Sequence, residues 1–144
     1  MQTQMKSFIT DHHIGLVSTC RDESSHAVPV FYHYAESENA FYFLTKSESK
    51  KFYNLKQNKK ASFVIFSENP PQVYTAECIS ELLDIDDATY SDKFIKLVEL
   101  HATRDNYPTA ISTMREGELV LVKLKVMDLN YKSYIQDINE LKSS

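Results

Sequence analysis

Residues 41–51 read Phe41-Tyr42-Phe43-Leu44-Thr45-Lys46-Ser47-Glu48-Ser49-Lys50-Lys51. An apolar, aromatic strand runs into hydroxyls and then into two adjacent lysines, where a helix begins (Phe52-Tyr53-Asn54-Leu55-Lys56). Hydroxyls, free backbone N–H groups and ammonium groups meeting at one point are what a phosphate dianion requires. A solvated hairpin end with a lysine-rich helix cap has the same composition, so the surrounding sequence must decide. Only two glycines are present, Gly15 and Gly117. That excludes a Gly-rich phosphate loop of the P-loop or dinucleotide type. A bound nucleotide must therefore have its phosphate held by side chains and by strand or helix ends.

Other groups with chemical potential are scattered. His12 and His13 stand at a helix end, where an imidazole can meet the last carbonyls. His26 begins a strand and is a candidate third cation beside a phosphate; His33 and His101 read as structural. Asp84, Asp86 and Asp87 read as a helix start, since no calcium-binding loop follows. Cys20 and Cys78 lie far apart in strand-like segments and read as buried free thiols, with no disulfide framework or metal site implied. Nine Tyr and eight Phe supply aromatic mass for a core and an interface.

These groups need a scaffold. Residues 2–13 have helical spacing (Met5, Phe8, Ile9, His12) ending near Gly15. Ile14–Cys20 is β-rich, and Arg21–Ser25 is a polar turn. His26–Tyr34 reads as one strand, in which Pro29 demands an edge position, a bulge, or an outward N–H. The turn Glu36–Asn39 leads into the strand Ala40–Thr45, forming a hairpin. A helix from Ser49 to Gln57 follows. Ala61–Phe66 shows little alternation and reads as buried on both faces. After Asn69-Pro70-Pro71, the segment Gln72–Leu82 alternates as a long strand. Asp86-Asp87 caps a helix carrying Tyr90, Phe94, Val98 and His101. Pro108 opens a helical turn over Thr109–Met114, and Glu118–Val126 is the last clear strand. Tyr131–Ser144 reads as a strand end or a helical turn. The expected class is mostly β with helical excursions, the sheet closing into a barrel to remove its edges.

The 144 residues fit one domain, 1–144, with 42% hydrophobic and 25% charged residues. No run approaches the ~20 apolar residues of a membrane span. The N-terminus lacks the apolar core of a signal peptide, so the expected location is cytoplasmic. A net charge of −4 without a basic–aromatic stripe argues against nucleic acid.

The order of these elements resembles the FMN-binding split-barrel superfamily typified by pyridoxamine 5′-phosphate oxidase. Four features carry the resemblance, over roughly residues 8–82. Strand Ile14–Cys20 leads through a polar turn to Val28-Pro29-Val30. Phe43-Leu44-Thr45 precedes Ser49-Lys50-Lys51, as in the family's aromatic-x-Thr…Ser-Arg/Lys-Lys pattern. Asn54–Asn58 and Ala61-Ser62-Phe63-Val64 match its helix, Asn, apolar-strand run. Gln72-Val73 opens the long strand where the family often has a flavin-contacting Gln. The resemblance implies a six-stranded antiparallel split β-barrel, an FMN cofactor, a homodimer with FMN in the interface and oxidoreductase chemistry on a small molecule. Ser49, Lys50 and Lys51 would hold the phosphate, and Leu44 and Thr45 would line the ribityl chain or ring edge. Val28, Pro29, Val30 and Phe31 would lie along the isoalloxazine, and Gln72 would reach it from the second subunit.

Departures from the pattern bear on function. Ala27 and Tyr32 occupy the positions of an Arg and a Lys that help fix FMN in pyridoxamine phosphate oxidases. The C-terminal Trp- and Arg-containing segment that helps bind pyridoxal phosphate has no counterpart, since the chain contains no Trp, so vitamin B6 oxidation is not expected. The competing readings are a flavin, deazaflavin or haem binder without turnover, such as a sensor or stress protein, and a dimeric scaffold that has lost its cofactor.

Overall fold

Alternating apolar and polar residues make sheets with one buried face, and seven strands form in the computed structural model, which describes residues 2–102 and 119–134. In chain order the elements are α1 (Gln2–Asp11), β1 (Ile14–Arg21), β2 (Ser24–Phe31), β3 (His33–Ala35), β4 (Ala40–Lys46), α2 (Lys50–Gln57), β5 (Lys60–Glu68), β6 (Pro71–Leu83), α3 (Ser91–Ala102) and β7 (Leu119–Ser133). Short 3-10 turns at Glu36–Glu38 and Ala88–Tyr90 precede β4 and α3. All pairings are antiparallel, in the order β2-β1-β5-β6-β7-β4-β3.

The two ends of this order are neighbours in sequence. β2 ends at Phe31 and β3 starts at His33, so Tyr32 alone carries the chain from one edge of the sheet to the other. The sheet must therefore curl until its edges meet, and it is closed by the covalent chain at that point. Tyr32 is fixed there by its N–H to the His13 carbonyl (3.0 Å) and its buried hydroxyl to the Ile9 carbonyl (2.6 Å). The segment 26–34 is thus two strands rather than the one expected, which raises the strand count from six to seven. Pro29 lies in β2, the outermost strand beside β1, where its missing N–H removes little from the ladder.

β4 shows the two-layered core most clearly. Phe41 and Phe43 point into the barrel with Val17, Phe63, Tyr74 and Val122, while Ala40, Tyr42 and Leu44 face outward under α3 with Leu97 and Leu121. Both faces of this strand are covered, so its residues Ala40–Thr45 are all buried. Ring centroids of Phe41 lie 4.5 Å from Phe63, 5.4 Å from Tyr32 and 5.7 Å from Tyr74, so one aromatic cluster fills the barrel. α1 adds Phe8 and Ile9, and α2 adds Leu55, at the barrel's ends. His12 closes α1 through Nδ1 against the Phe8 carbonyl at 2.8 Å.

Other expectations are corrected in detail. β5 alternates: Ala61, Phe63 and Ile65 are buried, whereas Ser62 and Phe66 are exposed. Its apolar run therefore has an uncovered side. Ser24 and Ser25 belong to β2, leaving Asp22-Glu23 as the tight turn, with Asp22 at a φ of 56°. β7 extends past Val126 to Ser133, accommodating Met127 at a register shift opposite Glu77/Cys78. Cys78 is buried, but Cys20 is only partly so. The turn at Pro108–Met114 and the tail beyond Tyr134 lie outside the described residues.

Candidate functional site

The Phe41–Lys51 segment folds as a strand end, a turn and a helix start, and the hydroxyls of Thr45 and Ser49 meet where they join. Ser49 is the N-cap of α2, its Oγ accepting the Phe52 N–H at 3.2 Å. Thr45, buried at the end of β4, lies 2.7 Å from the same oxygen. A serine hydroxyl has two acceptor lobes and one hydrogen. Either hydroxyl of the Thr45–Ser49 pair can be the donor; with Thr45 donating, the Ser49 hydrogen is left for an anion.

Beside this corner lies a cavity of about 260 Å3. Val28, Pro29, Val30, Phe31, Leu44, Thr45 and Lys46 line it, with Ser49 and Lys51 at one end and His101 of α3 on a further wall. Side chains alternate faces along a strand, so four consecutive residues of β2 can share a cavity only if it follows the strand's edge. At such an edge, backbone groups turn away from the ladder and are open to a ligand.

The electrostatics are one-sided. Lys51 is half-buried, and burial holds its pKa below the usual lysine range. Among the described residues the ion pairs gather on Glu36, Glu38 and Asp92, and none involves Lys46, Lys50 or Lys51. His26 has its pKa pushed down by partial burial and then by Lys50 and Lys51, which places it within their field. His101 is likewise pushed down by burial, and its ring meets Phe31 edge-on at 4.8 Å.

Two expected residues lie elsewhere. Lys50 lines a smaller neighbouring cavity of about 130 Å3 with Arg21, Ser24, Tyr53 and Asn54. Gln72, at the start of β6, accepts a hydrogen bond from the Tyr131 hydroxyl at 2.6 Å. Within one chain Gln72 is not among the residues that line the cavity. Conversely, His101, expected to be structural, and Lys46, to which the sequence assigns no role, both line the cavity. Helical spacing placed His101 on the packed face of α3, but only the seating of α3 against β4 brings it to this wall.

A larger hollow of about 580 Å3 on the barrel's other side is lined mainly by small and apolar residues, with Lys60 and Glu77 of opposite sign. No donors of one sign converge there. Among the described residues no cluster of His, Cys, Asp or Glu is placed to hold a metal ion, and no helix is long and apolar enough to cross a membrane.

A sequence model of the family described as pyridoxamine 5′-phosphate oxidase matches residues 1–128. No curated protein matches the chain. Solved structures share its fold at low identity. A FAD-binding protein from Mesorhizobium loti superposes with a TM-score of 0.74 at 13% identity, covering 91% of each chain. The haem storage protein HutZ from Vibrio cholerae gives 0.72 at 9%, covering 92% of this chain and 93% of its own. A pyridoxamine 5′-phosphate oxidase-related, FMN-binding protein from Nostoc punctiforme gives 0.66 at 12%, with coverages of 92% and 84%.

Proposed function

Because this chain belongs to the pyridoxamine 5′-phosphate oxidase family, we propose that it is an FMN-binding flavoprotein. In this reading it acts as a homodimeric oxidoreductase on a small molecule, with a reduced nicotinamide or similar donor. The observation that carries the reading is Lys51, a half-buried ammonium without a carboxylate partner among the described residues, beside the paired hydroxyls of Thr45 and Ser49. A phosphate monoester brings about −1.5 to −2 charges. One ammonium at contact contributes up to about 4 kcal/mol at an effective dielectric near 20, which offsets the missing arginine and lysine of the Pro-bearing strand. Val28–Phe31 lie where the edge of a flat ring would meet backbone donors and acceptors, and Leu44 and Thr45 face the intervening chain. Bound flavin supplies the hydride or electron transfer; this chain's residues bind, orient and shield it. At about 260 Å3 the cavity is smaller than the roughly 300–1,000 Å3 of a site that encloses a cofactor-sized ligand. A second subunit would complete it.

His101 supports a second reading. A partly buried imidazole with lowered basicity is a competent iron ligand, so haem is the competing occupant. An absorbance spectrum of the purified protein, repeated after incubation with FMN and gel filtration, separates the two. Retained flavin bands are expected, with Lys51→Ala weakening FMN by about tenfold to a hundredfold. Bleaching of the flavin bands by an anaerobic donor is the expected sign of turnover. A Soret band, or a protein that takes up no flavin, defeats the FMN reading.

A further inference from the structure

Phosphate binding leaves one polar group of the cavity unused. No carboxylate is among the residues that line it; its cations are Lys46 and Lys51, and its one imidazole is His101 of α3. β2 sets the order of these groups. It runs from His26, whose basicity is lowered by burial and then by Lys50 and Lys51, to Phe31, its last residue, whose ring meets that of His101 edge-on. Burial alone lowers the basicity of His101, without a contribution from either lysine. His101 therefore stands at the end of the cavity turned away from Lys51. Held neutral by burial, its ring offers one N–H donor and one acceptor nitrogen. Among the described residues, neither nitrogen enters a hydrogen bond or an ion pair.

In a flavin the ribityl phosphate leaves the central ring at N10, and the atoms across that ring are N5 and its neighbour, the C4 carbonyl. With the phosphate at Ser49 and Lys51, the side of the ring turned from the phosphate is the side turned towards His101. We propose that His101 is the residue that reads flavin N5, its N–H donating a hydrogen bond to that nitrogen in the oxidised ring. A 5-deazaflavin carries a C–H at this position and accepts nothing there, so His101 makes the site selective for a flavin over a deazaflavin. The inference rests on the FMN reading and deepens it, since it names the atom of the ring that α3 recognises.

The test titrates the full-length protein separately with FMN and with 5-deaza-FMN, following ligand fluorescence, for the parent chain, His101→Leu and His101→Gln. A thermal melt checks that each variant folds. The parent is expected to bind FMN about tenfold tighter than 5-deaza-FMN, the worth of one hydrogen bond whose loss leaves a half-buried donor unpaired. His101→Leu is expected to bind the two ligands within about twofold of each other, by weakening FMN alone. His101→Gln keeps an N–H donor and is expected to retain a preference of at least about threefold. A parent chain that binds both ligands equally overturns the role of His101 and leaves the FMN reading intact. So does a His101→Leu variant that weakens both ligands alike, since that marks His101 as a packing residue. If neither ligand binds, or the purified protein shows a Soret band, the FMN reading fails and the inference with it.

Discussion

The hydroxyl of Ser49 joins three levels of the structure: it caps α2, it touches Thr45 at the end of β4, and it borders the cavity. That convergence was legible in the sequence, because an N-cap serine followed by lysines fixes where donors point. The division of labour between Lys50 and Lys51 was not, since it depends on how α2 is rotated against the barrel. A sharper constraint at this scale falls on Gly15. A Cβ built there would come within 2.2 Å of the Phe63 ring, and Phe63 is locked among Tyr32 and Phe41 at 5.4 and 4.5 Å. The ring cannot withdraw without disturbing the aromatic cluster. Gly15→Ala is expected to destabilise the protein by about 1–3 kcal/mol, the range for overpacking, as read from a shift in the urea midpoint with an unchanged slope.

Elements were easier to foresee than their ends. Antiparallel strands and the Pro-bearing edge follow from alternation and turn chemistry, whereas Asp87, expected to cap α3, instead caps the 3-10 turn Ala88–Tyr90 before it. The break at Tyr32 did not follow from either, because no glycine or proline marks it: the chain changes sheet edge through barrel closure alone. α3 carries a further consequence, because a histidine on each side of its contact with the sheet, His33 of β3 and its own His101, loses basicity. His33 is pushed below its ordinary pKa by burial and by Lys96 and Lys93, with Asp92 and Glu38 opposing. His101 is pushed down by burial against Phe31. Both bind protons more weakly folded than unfolded, so the neutral forms stabilise the fold above pH ~6.5. That contribution is lost as pH falls through the lowered folded values. The melting temperature is expected to drop by a few degrees between about pH 7 and pH 5. A His33→Gln/His101→Gln variant should flatten that slope; an unchanged slope would place the acid sensitivity elsewhere.

At the scale of the whole molecule, the misread alternation of β5 becomes informative. Its run looked buried on both faces because it is apolar on both, and among the described residues the second face is left exposed. Phe66 is 64% exposed and Ile14 45%. Leu16 is paired with Val64 and Phe66 with Val73, so these side chains form one strip across β1, β5 and β6 on the face opposite Val17, Phe63 and Ile65. Apolar strips of this kind mark an interaction surface, and under the homodimer proposed above a second copy of the chain would cover it and bring its Gln72 to this chain's site. That residue pairs with Ser67 at the rim of the strip and is not among the residues that line its own cavity. Phe66→Lys places a charge in the strip without touching the barrel interior. Sedimentation is expected to show a dimer for the parent chain and a monomer for the variant, with the melt of the isolated barrel little changed. If the partner's Gln72 completes the site, FMN affinity should fall together with dimerisation, and Gln72→Ala should lower affinity while leaving the dimer intact. A variant that is monomeric yet binds FMN as tightly as the parent would confine the site to one chain and leave the strip a separate matter of assembly.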